Sequence, residues 1–174
     1  MDKEYWLTKV DPLPGESISH FLGRFRRAKG NRFSAASGLG QVAGLGAVLV
    51  RWEKLYFNPF PGYKELQALS KVVMVDLEDL KQMLPTSEMT IQTKPIMLCA
   101  LCFGENPCHR IAWQDKNVWG CSVHGVRLLS RCINCKTTFP IPALWEDGKC
   151  KHCGLEYFKM GKYQKKLLII KSYF

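Results

Sequence analysis

The first 98 residues contain no cysteine; all eight in the chain lie from residue 99 onward. Neither a disulfide nor a thiolate-bound metal can staple the first half, which must hold together by burying apolar side chains. No apolar run is long enough to cross a bilayer, which takes about 20 residues. The longest late one is Leu167-Leu168-Ile169-Ile170. The opening Met1-Asp2-Lys3-Glu4-Tyr5-Trp6 carries acidic residues and no apolar stretch, unlike a secretory signal, so a reducing cytoplasm is expected. Catalytic signatures are missing as well. There is no Walker A loop for nucleotide phosphates, no H-E-x-x-H, and no H-x-E with the P-C-x-x-C of zinc deaminases. Cys108 with His109 or His124 would make a nucleophile pair, but no third group is readable to orient it. Non-enzymatic function is the expectation. Acid is scarce too, with 15 Asp and Glu against 25 Lys and Arg, a net charge of +10.

What the second half does contain is four close pairs of metal-type residues. They are Cys99-x-x-Cys102, Cys121-x-x-His124, Cys132-x-x-Cys135 and Cys150-x-x-Cys153. Each pair presents two donors to one ion, and two pairs close a tetrahedral zinc site. In chain order they make one site of Cys99, Cys102, Cys121 and His124, and another of Cys132, Cys135, Cys150 and Cys153. Both are full at four ligands, the arrangement of structural rather than catalytic zinc, so two structural Zn2+ ions are expected. Cys108 and His109 lie between the halves of the first site and are alternative ligands to it. They are adjacent in sequence and cannot form the spaced hairpin, so a free cysteine and a loop histidine are the simpler reading. His152, beside Cys153, has the same handicap.

The first half reads as helical. Ile18, Phe21, Leu22, Phe25 and Ala28 recur at helical spacing across 16–29, and Gly30 is a C-terminal stop. The Gly-, Ala- and Ser-rich stretch 34–46 suits a short helix and tight turns, and 47–56 is helical again. Asn58-Pro59-Phe60-Pro61-Gly62 breaks the chain. Two short helices follow, at 64–71 and 76–84, with the shape of a helix-turn-helix. The second carries Asp76, Glu78 and Asp79, which phosphates would repel, so scaffold or protein contact suits it better than DNA reading. The expected architecture is a mostly α N-terminal domain with helix-turn-helix-like helices, then two small zinc-ribbon modules. The boundaries are a helical domain at 1–85, a polar linker at 86–98, zinc modules at 99–130 and 131–158, and a basic tail at 159–174.

Residues 1–60 carry nine basic and five acidic side chains, and residues 99–174 carry twelve and five. Such an excess suits phosphates or an acidic partner, and equally plain solubility. The densest basic cluster is Arg24, Arg26, Arg27, Lys29 and Arg32, with His20 on the same side of the helix. It offers a nucleic-acid or partner surface, or a solvated helix face. The lysines Lys159, Lys162, Lys165, Lys166 and Lys171 offer a second such surface, or a disordered tail. Trp6 is a candidate anchor for a partner pocket, with packing onto its own helices as the alternative. Trp113, Trp119 and Trp145 flank the zinc loops and are read as miniature cores beneath them.

The segment Pro14-Gly15-Glu16-Ser17-Ile18-Ser19-His20-Phe21-Leu22-Gly23-Arg24-Phe25 resembles the opening motif of the TniQ family. So does the order of Cys99-Ala-Leu-Cys102, Trp113-Gln114, Cys121-Ser-Val-His124-Gly125 and Cys132-Ile-Asn-Cys135. TniQ proteins are target-selection adaptors of Tn7-like transposons, related to the TnsD target-site proteins. The chain is similar in length to the small TniQ of type V-K CRISPR-associated transposons. That resemblance implies a monomeric bacterial adaptor bridging a TnsC-type AAA+ ATPase filament to an RNA-guided CRISPR effector with its guide RNA and target DNA. It also implies that Trp6, matching a family tryptophan, is an ATPase contact. The alternative is a stand-alone zinc-ribbon regulator that binds nucleic acid. The chain departs from the family in lacking the proline of Cys-Pro-x-Cys. It also has His20-Phe21 where relatives often have tryptophan.

Overall fold

A computed structural model describes residues 7–168. Its first helix, α1 (Ile18–Arg27), begins at Ser17, whose hydroxyl accepts the His20 N–H at 3.3 Å. That bond satisfies one of the orphan donors of the first turn. Ile18, Phe21, Leu22 and Phe25 form the apolar stripe and are fully buried. The short helices α2 (Ala36–Val42) and α3 (Val48–Glu53) pack against α1 and each other, with Leu39, Leu49 and Trp52 completely enclosed. After the Pro59–Pro61 break come α4 (Tyr63–Val73) and α5 (Leu77–Gln82). The Glu65 carboxylate accepts the Gly62 N–H at 2.8 Å and opens α4. Met74, left-handed at φ 56°, ends it and turns the chain into α5. Leu69, Val73 and Leu80 close this first core. The two-helix shape expected at 64–84 is therefore present, but a helix pair is not by itself a DNA-binding motif.

The second core is built differently. It comprises α6 (Ala100–Glu105), a two-stranded antiparallel hairpin of β1 (Gly120–Cys121) and β2 (Val126–Arg127), and three 3₁₀ turns at 111–114, 142–144 and 157–163. Its centre is an aromatic nest. Tyr157 is met edge-on by Trp145, Phe139 and Phe103 at centroid distances of 5.0, 5.2 and 5.5 Å. Such T-shaped pairs bring positive ring edges to negative faces. Residues from both metal-binding segments share this one core.

Two stretches read as linker and tail are parts of that core. In 86–98, Ile96 and Leu98 are buried, and Leu98 exchanges both backbone hydrogen bonds with Leu129 at 2.8 Å. Polar neighbours masked this extended pairing. In 159–168, Met160 stands three residues after Tyr157 on a 3₁₀ helix, so the two eclipse on one face against α6 while Lys159 and Lys162 face solvent. The following residues run back over the hairpin, where Arg127 N–H donates to Lys165 O at 2.7 Å and Leu167 N–H to Gly125 O at 2.8 Å.

The two cores meet along α1. Ser17 N–H donates to His109 O at 2.7 Å. Ser19 Oγ donates to Glu53 O and accepts Ala143 N–H at 3.1 Å. Gly23 lies against the Ala143 backbone with no room for a Cβ, which would sit 2.2 Å from the Ala143 oxygen. Among the described residues, no helix is long and apolar enough to cross a membrane.

Candidate metal centres

The two expected ligand sets come together as read. The donor atoms of Cys99, Cys102, Cys121 and His124 all lie within 4.8 Å of one another, as do those of Cys132, Cys135, Cys150 and Cys153. In the first set, Cys102 Sγ is 3.4 Å from Cys121 Sγ and 3.3 Å from His124 Nδ1. Cys121 and Cys99 approach the same nitrogen at 3.6 and 3.8 Å. In the second, Cys132–Cys153 is 3.6 Å and Cys135–Cys150 is 3.5 Å. A tetrahedral ion with metal–sulfur bonds of about 2.3 Å needs donor separations of about 3.8 Å, so both clusters fit one such ion. Disulfide bonds are about 2.05 Å, and none forms among the described residues. Two metal ions can be held; four donors fill each.

Three of the four knuckles are built alike. Gly125, Lys136 and Gly154 each donate N–H to the carbonyl four residues back, on Cys121, Cys132 and Cys150, at 2.8, 3.0 and 2.8 Å. All three sit at positive φ (60°, 64° and 73°), which turns the chain sharply after the second donor. Lys136 pays a left-handed strain that glycine avoids in the other two. The fourth knuckle differs, because Cys99 caps α6 and Cys102 lies in its first turn. There the free N–H groups of Ala100 and Leu101 are met by Gln164 Oε1 at 2.9 and 3.4 Å. Gln164 Nε2 in turn donates to Arg127 O at 2.7 Å, tying helix, hairpin and C-terminal segment around the first cluster.

Electrostatics favour ligand thiolates unevenly. Hydrogen bonds from Thr137 hold the Cys135 thiol down at about 5. Burial raises Cys132 to about 11, against backbone hydrogen bonds from Cys135 and Asn134. For Cys121, burial is outweighed by hydrogen bonds from His124 and the neighbouring thiols, which bring it to about 7. A bound cation would favour deprotonation of all of them. Glu105 supplies what the ligand spacing did not reveal. Its carboxylate accepts from His124 Nε2 at 2.8 Å, which leaves Nδ1 as the ligand atom and fixes the ring. The signal was there, since Glu105 follows Cys102 by three residues on one helix face.

Cys108 and His109 belong to neither cluster. Cys108 is buried with its sulfur 4.0 Å from Pro14 O, and burial pushes its thiol up to about 12. His109 is fully enclosed, Nδ1 2.9 Å from Ser17 Oγ and Nε2 3.3 Å from Gln114 Oε1. Burial holds it neutral, down at about 3. His152 is exposed beside its cluster.

The basic cluster around α1 is largely spent inside the fold, which corrects its reading as one outward face. His20 is 2% exposed, with Nδ1 2.5 Å from the buried carboxylate of Glu16. Arg26 is 5% exposed and grips Glu53 through two nitrogens at 2.5 and 3.0 Å. Neither is open to a partner. Arg24 is half-buried, 3.1 Å from Glu16 and from Asp11 O, and Arg27 donates to Ala143 O. Lys29 and Arg32 remain exposed, as do Lys162, Lys165 and Lys166, with Lys162 lying 4.9 Å over the Tyr163 ring. Trp113 and Trp145 are buried as expected, but Trp119 is 71% exposed and is no miniature core. The hairpin is two residues per strand and leaves nothing to cover it. Trp6 and Lys171 lie outside the described residues.

No family model matches this sequence, and no curated protein matches it.

Proposed function

We propose that this chain is a non-enzymatic adaptor in RNA-guided DNA transposition, joining a TnsC-type AAA+ ATPase filament to a CRISPR effector on its guide RNA and target DNA. The observation that carries the reading is the seam along α1. The two segments that separately resemble TniQ, Pro14–Phe25 and the metal-binding half, pack into one unit through Ser17, Ser19 and Gly23. An adaptor needs two surfaces held at a constant separation, and a closed seam supplies that. Zinc suits both clusters, since soft thiolates in a four-donor tetrahedron favour it over harder divalent ions. With four protein donors on each ion, no position is left for substrate or water, so the metals brace loops. Lys29 and Arg32 on one half, and Lys165 and Lys166 on the other, are exposed cations that can meet phosphates or an acidic partner. The site of action is the bacterial cytoplasm.

A second reading, a stand-alone zinc-ribbon nucleic-acid regulator, is favoured by one observation. Trp119, Phe158 and Tyr163 are 71, 49 and 60% exposed among lysines, which suits base stacking. A pull-down of the zinc-loaded chain separates the two. The bait is a TnsC-type ATPase with ATP and duplex DNA, with DNA alone as control. Retention that requires the filament supports the adaptor. Equal retention on DNA alone replaces it with the regulator.

A further inference from the structure

A groove of about 910 Å3 lies beside the second metal cluster, with residues of both halves and Cys150 itself in its lining. Lys54 and Tyr56, just beyond α3, line it together with Phe139, Ile141 and Leu144. Lys94, Pro95 and Ile96 line it as well. The volume lies in the range of clefts that enclose ligand side chains. Leu144 is 48% exposed and Tyr56 55% exposed at this groove, so both present apolar surface to it. Tyr157 lines the groove too; its hydroxyl is buried and has no hydrogen-bond partner.

Charge selects the occupant. Three lysines line the groove and no acidic residue does. Lys151 is already 3.4 Å from Asp147, but Lys54 and Lys94 have no ion pair among the described residues. Two uncompensated ammonium groups flanking an aliphatic trough match a chain that carries carboxylates on either side of an apolar side chain. A nucleic acid fits less well. Its phosphates would have to lie over Ile96, Ile141 and Leu144, losing water without gaining donors.

We infer that this groove is a docking site for an acidic, apolar-anchored segment of a partner protein, with the apolar residue seated against Ile141 and Leu144 and its flanking carboxylates on Lys54 and Lys94. This rests on the groove's own residues and stands or falls separately from the transposition reading.

Phage-displayed random octapeptides, selected on the full metal-loaded chain, test it directly. The winners should share an apolar residue flanked by Asp or Glu. A synthetic winner should weaken about tenfold or more on the double substitution Lys54→Glu, Lys94→Glu, and also when salt rises from about 0.05 to 0.5 M. Leu144→Asp should abolish binding and Leu144→Met should retain it. Both side chains of the lysine pair are outside the cores, and metal content with a thermal melt verifies each variant's fold. Selection that yields no winner, or winners without acid, overturns the inference. So does a winner indifferent to Lys54, Lys94 and Leu144. Single-stranded RNA that binds and is lost on the same lysine variants would assign the groove to nucleic acid instead. A concentration-dependent dimer dissociated by Leu144→Asp would assign it to a second copy.

Discussion

Replacing Gly23 with alanine sets helix propensity against packing, and the two have opposite signs. Gly23 lies inside α1, where alanine is favoured by about 1 kcal/mol. By propensity alone the variant would be more stable. The added Cβ, however, would sit 2.2 Å from Ala143 O and 2.7 Å from two further backbone atoms, where 3.4 Å is ordinary contact. Backbone cannot rotate away as a side chain can, so helix and turn must part by roughly 1 Å. Overpacking of this kind costs about 1–3 kcal/mol. The separation also strains the bonds from Ala143 N–H to Ser19 and from Arg27 to Ala143 O, each contributing about 1 kcal/mol. The net is a loss of about 2–4 kcal/mol, which in a chain of this length lowers Tm by roughly 4–16 °C. Urea unfolding followed by tryptophan fluorescence measures it. Gly38→Ala in α2 is the control, because its Cβ meets only the Phe33 ring, at 3.3 Å. That variant should be neutral or slightly stabilised. If Gly23→Ala is as stable as the parent, α1 and the 142–144 turn are not in backbone contact.

Arg26→Ala should cost about 3–5 kcal/mol by stranding the buried Glu53 carboxylate, whereas Arg26→Met with Glu53→Leu should recover most of it; a double-mutant cycle in urea checks this. Glu105→Ala should weaken zinc at the first cluster about 10–100-fold and leave the second unchanged, read by competition with a chromophoric chelator. Removing the metal from either cluster should expose the aromatic nest, visible as lost near-ultraviolet circular dichroism, because Cys99 and Cys132 are themselves core residues. His109, depressed to about 3 from an ordinary 6.5, contributes stability that is fully present above pH 6.5 and is lost as pH falls toward 3, since the unfolded chain takes up the proton first. The stability advantage of the parent over His109→Gln should therefore shrink by about 2 kcal/mol between pH 7 and pH 5; both chains keep the same ligands, so metal-linked effects cancel.

The metal donors were legible because a knuckle is local: two residues of spacing decide whether two side chains reach one ion. The apolar stripe of α1 was legible for the same reason, through its period. Burial of polar groups was not. On a helical wheel Arg26 and His20 sit on the polar side, and only Glu53, 27 residues further on, explains the first. Glu16, four residues before His20, was a readable partner, yet nothing local said that the pair would be covered by Trp145. Trp113, Trp119 and Trp145 share a residue type and a neighbourhood. Only the fold separates the two that pack on His109 from the one that faces water. Gln164 could not be read either, since its partners lie 37 to 65 residues away.

The seam has a consequence for how metal and surface are linked. Cys132, Cys150, Phe139, Trp145 and Tyr157 belong to one core, and Trp145 ends the turn that Gly23 and Arg27 rest on. The ring of Trp145 also packs edge-on against His20 and His109, the two histidines of the buried polar seam. The second cluster is therefore joined to α1 through this turn. The exposed Lys29 and Arg32 lie just beyond that helix, while Lys165 and Lys166 lie over the first cluster. The seam thus places one packed path between the second cluster and the helix that leads to one of these pairs.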